Sequence, residues 1–172
     1  MFKTKFRLCE LFGIPLYVDI SFAFLLLMFI SSTGGDIGYG LTAALILAIS
    51  VVLHELGHSL TARAFGYPTR DITISLLGGC ASLIALPRRA SQELITAIAG
   101  PAVSLALSGI GFLALHTMTF PSLWAGFSVY VLAWMNLWLG AFNLLPGFPM
   151  DGGRIFRSVL RSFMPRPKAT LV

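Results

Sequence analysis

Long apolar stretches separated by short polar segments dominate the chain. They lie at roughly residues 15–31, 41–65, 92–116 and 122–145. A helix needs about 20 apolar residues to cross the hydrocarbon core of a bilayer. The first stretch is slightly short and carries Asp19. The pattern therefore predicts an all-α polytopic membrane protein with about four transmembrane helices.

The segment between the second and third stretches follows a different period. Residues 71–76 alternate between polar and apolar side chains, Gly78 and Gly79 are typical of a tight turn, and residues 81–86 form a second short run. Period-two alternation interrupted by glycines predicts a β-hairpin. We expect this hairpin to be associated with the membrane surface. It is either a lid packed on the helices or an edge strand that pairs with an extended peptide.

Composition and charge agree with a membrane protein. The chain is 56% hydrophobic and 11% charged, with a mean hydropathy of +0.85. The basic residues behind its net charge of +5 precede the first stretch, lie at the end of the second stretch (Arg63) or between it and the third, or follow the fourth, whereas residues 32–40 and 117–122 contain none. Because Lys and Arg concentrate in cytosolic segments, four spans place both termini in the cytosol. This distribution predicts a multi-pass cell-membrane protein with the lipid bilayer, not nucleic acid, as a partner.

Apart from Arg63 near its end, three ionisable residues lie inside the second apolar stretch, where such groups are costly and rarely present without a function. His54, Glu55 and His58 form the pattern H-E-x-x-H. On a helix this spacing places two imidazoles on one face with a carboxylate beside them, as in zinc hydrolases, where the histidines bind the metal and the glutamate is the general base. The alternative is a pair of histidines hydrogen-bonded to neighbouring helices. The presence of Glu55 favours one catalytic Zn²⁺ ion.

A catalytic zinc ion usually has three protein ligands and an open position. Asp151 is the strongest candidate for the third ligand. It follows the fourth stretch, where Pro146, Gly147 and Pro149 break the helix, and irregular backbone at membrane depth is tolerated only where it is buried in protein or lines a cavity. Asp151 could instead cap an amphipathic helix from about 152 to 164. The need for a carboxylate at the depth of the histidines favours the interpretation of Asp151 as a metal ligand.

Two asparagines share one face of the fourth stretch, because Asn136 and Asn143 are seven residues apart. Amides in membrane helices commonly join one helix to another, which is the interpretation for Asn136. Asn143 stands where the helix breaks toward Asp151. Its amide is therefore a candidate donor to a substrate carbonyl and to the oxyanion that develops there.

These motifs resemble the site-2 proteases, a family of intramembrane zinc metalloproteases. The resemblance covers most of the chain, and its compact form without an inserted PDZ domain is most similar to the archaeal and bacterial branch. It rests on Gly13-Ile14-Pro15, HELGH at 54–58, the Gly78-Gly79 hairpin, Ala99-Gly100-Pro101, and N-x-x-P-x-x-x-x-D-G from Asn143 to Gly152.

The resemblance implies a role for each matching residue. His54, His58 and Asp151 correspond to the zinc ligands. Glu55 corresponds to the base that activates water and later protonates the leaving amine, and Asn143 to the residue that orients the substrate carbonyl. Asp19 departs from the pattern, since relatives commonly have histidine there.

We therefore expect a zinc-dependent intramembrane endopeptidase that hydrolyses peptide bonds in or near transmembrane segments of membrane-anchored regulatory proteins. Its active site is expected within the membrane, toward the cytosolic side. The alternative is a non-catalytic membrane metal-binding or transport protein, which has no need of Glu55. We expect residues 1–172 to form a single catalytic core that is truncated before further helices or C-terminal regulatory domains such as CBS domains.

Overall fold

The computed structural model describes residues 5–75, 78–84, 87, 89–147 and 149–161. Within these ranges the chain forms a mainly helical bundle and a small sheet. In chain order the elements are β1 (Lys5–Leu11), β2 (Ile14–Asp19), α1 (Ser21–Ser32), α2 (Ile37–Ala64), β3 (Thr69–Ser75), β4 (Gly78–Leu83), α3 (Ala90–Thr117), α4 (Leu123–Asn143) and α5 (Asp151–Leu160).

Three helices, α2, α3 and α4, are long and apolar enough to cross a membrane. Helices α2 and α3 have 28 residues each and α4 has 21, which corresponds to about 42 Å and about 32 Å at 1.5 Å per residue. Helix α3 packs against both α2 and α4, which also contact each other. Small residues allow this close packing, since a Cβ on Gly111 would lie 2.8 Å from that of Ala133. The helices predicted from the second, third and fourth stretches are thus confirmed.

The first apolar stretch, predicted as one helix over 15–31, is divided into a strand and a short helix. Residues up to Asp19 belong to β2, and α1 has only 12 residues, or about 18 Å. The Asp19 carboxylate accepts a hydrogen bond from the backbone N–H of Ser21 at 2.9 Å. Hydrogen bonding to Ser21 holds the pKa of Asp19 below its ordinary value. Composition alone did not separate the two elements, because a strand buried between two neighbours is as apolar as a membrane helix.

The four strands form one sheet in the order β1-β2-β3-β4. Strands β1 and β2 are antiparallel, β2 and β3 are parallel with Leu16 opposite Ile72, and β3 and β4 are antiparallel with Ser75 opposite Gly78. The predicted hairpin is therefore present, although its residues 76, 85 and 86 lie outside the described residues. Its glycines belong to β4 rather than to the turn. The β1–β2 hairpin was not predicted.

The sheet packs on α2 through a compact apolar core. This core joins β2, β3 and α2 through Ile14, Leu16, Val51, Leu56, Ile72 and Ile74. Its two α2 residues lie on either side of His54 and Glu55 in the sequence. The sheet therefore contacts α2 at the level of the H-E-x-x-H motif.

Candidate metal centre

Helix α2 brings the two histidines of the motif together. His54 and His58 are one helical turn apart and buried. Their ring centroids lie 4.9 Å apart with an interplanar angle of 76°, and their Nε2 atoms are 3.2 Å apart. Both Nε2 atoms therefore point to the same place.

Asp151 completes this group from the first residue of α5. Its Oδ2 lies 2.9 Å from Nε2 of His58 and 3.1 Å from Nε2 of His54. The residue preceding α5 is Met150, so Asp151 is not the N-cap of this helix. The described part of the helix predicted over 152–164 ends at Leu160, and residues 162–164 lie outside the described residues. The structure thus places the Asp151 carboxylate with the histidines, as the ligand interpretation expected.

Helix α3 forms the wall behind the histidines. Nδ1 of His58 lies 2.7 Å from the backbone carbonyl oxygen of Thr96, and Nδ1 of His54 lies 2.9 Å from Oγ of Ser104. A carbonyl only accepts hydrogen bonds, so Nδ1 of His58 carries the proton and Nε2 keeps its lone pair for a metal. Between these contacts, a Cβ on Gly100 would lie 2.7 Å from Nε2 of His54.

Sequence reasoning missed these α3 partners. Thr96, Gly100 and Ser104 recur every four residues, which places small and polar residues on one helix face. This four-residue repeat was the feature of the sequence that could have identified the α3 partners.

The sheet holds the carboxylate of Glu55. The backbone N–H of Ala81 in β4 donates a hydrogen bond to Oε2 of Glu55 at 3.0 Å. Gly79 of the same strand lies so close that a Cβ there would be 2.5 Å from Cγ of Glu55. Strand β4 therefore fixes one carboxylate oxygen and leaves Oε1 for other partners.

The two asparagines of α4 have different surroundings. Asn136 is fully buried, and its Nδ2 donates to Oγ of Ser50 at 2.8 Å and to the carbonyl of Leu132 at 2.9 Å. This contact joins α4 to α2, as predicted. Asn143 is half-buried, and its Nδ2 donates to the carbonyl of Leu139 at 2.9 Å. The structure does not bring Asn143 into hydrogen-bond contact with the three ligand candidates, so its catalytic role stays a prediction.

The donor set suits a tetrahedral metal ion. Two imidazole nitrogens and one carboxylate oxygen, all buried, lie within 4.8 Å of one another. Two histidines with one carboxylate are a known ligand set for catalytic zinc, with the fourth position open to water or substrate. The residues therefore fit such an ion, and Glu55 lies next to its first ligand in the sequence.

Comparison with known proteins identifies the family. The sequence model of Peptidase family M50 matches residues 42–123 and 122–171. The chain belongs to peptidase family M50. Proteins with similar sequences include the putative zinc metalloprotease sll0528 of Synechocystis, 40% identical over 92% of this chain. Another is the zinc metalloprotease MJ0392 of Methanocaldococcus jannaschii, 38% identical over 90% of this chain. This M50 chain spans 45% of the length of each of these two relatives.

A solved structure shares the fold of this M50 chain. It is the site-2 protease from Methanocaldococcus jannaschii, with a TM-score of 0.79 and 35% sequence identity over 97% of this chain and 76% of that chain. The resemblance to site-2 proteases inferred from the motifs is thereby confirmed.

Proposed function

We propose that the chain is the catalytic core of a zinc-dependent intramembrane endopeptidase. The observation that carries this proposal is the buried group of His54, His58 and Asp151, with Glu55 beside it on a helix that can cross a membrane. Membership of a peptidase family and the zinc metalloprotease name of one relative support it. The proposed substrates are membrane-anchored regulatory proteins, cut in or near their transmembrane segments.

One Zn²⁺ ion is assigned to Nε2 of His54, Nε2 of His58 and an oxygen of Asp151. When bound, zinc polarises the scissile carbonyl and lowers the pKa of water. The chain's own contribution is to orient both imidazoles through the α3 contacts of their Nδ1 atoms, so that their Nε2 atoms face the assigned ion.

Glu55 is assigned as the general base. It accepts a proton from the attacking water and delivers it to the leaving nitrogen. The Ala81 N–H fixes Oε2, so Oε1 is the oxygen available for this transfer. Asn143 is assigned to the substrate carbonyl oxygen, because its amide carries two hydrogens and Leu139 takes only one.

The orientation follows from charge and helix direction. The first residue of α2 follows segment 32–36, which lacks Lys and Arg, and the helix ends near Arg63. We therefore place the start of α2 outside and its end toward the cytosol. His54 then lies about 25 Å along the helix, near the cytosolic side. Helix α1 returns the chain from the sheet to the outer side, which keeps both termini cytosolic.

A reconstituted cleavage assay with a membrane-anchored substrate tests the proposal. We expect Glu55→Gln to keep its zinc and to lose at least about 100-fold in turnover. Asp151→Ala should bind zinc much more weakly, through the two histidines alone, and should not cleave the substrate. A zinc chelator should abolish both zinc binding and cleavage. The matched control is Glu10→Gln, which removes an exposed carboxylate paired with Arg7 and should behave as wild type.

The assay also separates the alternative function. A non-catalytic metal-binding or transport protein binds zinc equally well but does not depend on Glu55 for any hydrolysis. Full cleavage by Glu55→Gln, or zinc binding by wild type without any cleavage of membrane-anchored substrates, would contradict the peptidase proposal.

A further inference from the structure

A second buried charge cluster lies outside the metal centre. Glu93, in the first turn of α3, has only 5% of its side chain exposed. Its Oε1 accepts a hydrogen bond from Nε of Arg157 at 3.0 Å, and its Oε2 is paired with Arg161. Arg157 lies in α5, and Arg161 follows directly after its last residue. One buried carboxylate thus binds two guanidinium groups, one from α5 and one from the residue directly after it.

Burial distinguishes this cluster from an ordinary surface ion pair. The Arg7–Glu10 pair has side chains 58% and 50% exposed, and such pairs contribute little. A buried carboxylate is costly unless charged partners and hydrogen bonds satisfy it, and removing one partner leaves an uncompensated charge. The Glu93 cluster is therefore a strong constraint on where α5 can lie.

The constraint acts on the metal centre because α5 begins with Asp151. Helix α5 has only 10 residues, and such a helix is marginal without tertiary contacts. Residues 144–147 and 149–150, which precede it, form turns and bends. Helix α5 packs on α3. Its position is thus set mainly by α3.

The same face of α3 orients the other two ligand candidates. Glu93 lies three residues before Thr96, and Gly100 and Ser104 follow at intervals of four. Thr96 and Ser104 contact the two histidines, while Glu93 holds the helix of Asp151. The positions of all three ligand candidates therefore depend on contacts with α3.

We propose that Glu93 is a positioning residue that, with Arg157 and Arg161, locks α5 on α3 and holds the Asp151 carboxylate at metal-binding distance from His54 and His58. This inference rests on the proposed zinc site. It assigns Glu93 no contact with substrate.

Zinc release from the purified chain to a chromogenic chelator tests the proposal. We expect Glu93→Gln to release zinc about 10–100-fold faster than wild type, the range typical of lost outer partners of metal ligands. With Co²⁺ in place of zinc, its visible absorption band should shift, since that band reports the ligand arrangement. Arg157→Lys keeps the positive charge but loses the planar guanidinium group, so it should increase the rate of zinc release by less than Glu93→Gln does. Glu10→Gln is the matched control and should release zinc as wild type does.

A double-variant comparison distinguishes positioning from general loosening of the fold. In the Asp151→Ala background, Glu93→Gln should cause no further increase in zinc release, because the ligand that it positions is gone. A further increase there would contradict positioning. Zinc-release rates and cobalt spectra like those of wild type in both Glu93→Gln and Arg157→Lys would also contradict positioning. If Glu93→Gln does not fold, the milder Arg157→Lys decides alone.

The outcomes also separate this inference from the proposed function. If Asp151→Ala loses zinc while Glu93→Gln and Arg157→Lys do not, the zinc site stands and the positioning role is overturned. If Asp151→Ala keeps zinc at wild-type affinity, the ligand assignment is overturned and the positioning proposal is overturned with it.

Discussion

Replacing Gly100 by alanine is the sharpest test of the α3 wall behind the metal centre. The added Cβ would lie 2.7 Å from Nε2 of His54 and closer still to Nε2 of His58. The rings cannot simply turn away, because Thr96 and Ser104 hold their Nδ1 atoms. Helices α2 and α3 therefore have to separate, or the rings have to leave their position, by roughly 1 Å.

The magnitude follows from that displacement. A misplacement of about 1 Å in a catalytic arrangement can cost about 100-fold in rate, which corresponds to about 2.7 kcal/mol of transition-state stabilisation. We expect Gly100→Ala to lose about 100-fold in kcat/KM and to bind zinc more weakly. Helix propensity acts in the opposite direction, since alanine is favoured over glycine by about 1 kcal/mol in a helix interior.

Gly109 provides a control in the same helix. A Cβ there would have nothing within 4 Å, so Gly109→Ala has the propensity gain without the clash. Zinc content, peptide cleavage and thermal unfolding in detergent should be measured for both variants. If Gly100→Ala binds zinc and cleaves substrate as well as Gly109→Ala does, the close contact of α3 with the ligand rings is not a constraint and the reasoning fails.

Three further predictions follow from individual contacts. Ser104→Ala removes the partner of one ligand's Nδ1 and should weaken zinc binding about 10–100-fold in a competition titration; unchanged affinity would contradict it. Asn136→Ala should lower the free energy of unfolding by about 1–3 kcal/mol, because it breaks a buried interhelical hydrogen bond. Asn143→Ala should instead lower turnover with little change in the free energy of unfolding. The reverse pattern would refute both assignments. Gly152→Ala places a Cβ 2.5 Å from a backbone carbonyl carbon of the preceding loop and should lower zinc content, whereas Gly147→Ala, with open space around it, should not.

The candidate membrane helices and the candidate metal ligands were accessible to sequence reasoning because each has a one-dimensional signature. Apolar length predicted α2, α3 and α4, and the spacing of His54 and His58 on one helix follows from 3.6 residues per turn. Asp151 was inferred from the break in the chain after α4, together with the depth of the histidines. The structure places these three side chains together.

The missed features depend on pairing between distant segments. Strand β2 resembles the beginning of a membrane helix in composition, and only its contacts with β1 and β3 distinguish it. The hydrogen bond from Ala81 to Glu55 and the pairing of Glu93 with α5 likewise join residues far apart in the chain. Periodicity within one segment contains no information on such partners.

In the proposed orientation, the shortness of α1 links the position of the active site to the thickness of the bilayer. It reaches about 18 Å, whereas the hydrocarbon core of a bilayer is about 30 Å thick. In the proposed orientation, the bilayer beside α1 accommodates this mismatch in one of two ways. Either it becomes locally thinner, or exposed apolar side chains of the sheet, such as Phe6 and Leu8, replace lipid in part of the hydrocarbon layer. The sheet includes the strand that holds Glu55. In that orientation, the lipid composition of the membrane would therefore help to set how far the carboxylate of Glu55, the proposed general base, lies from cytosolic water.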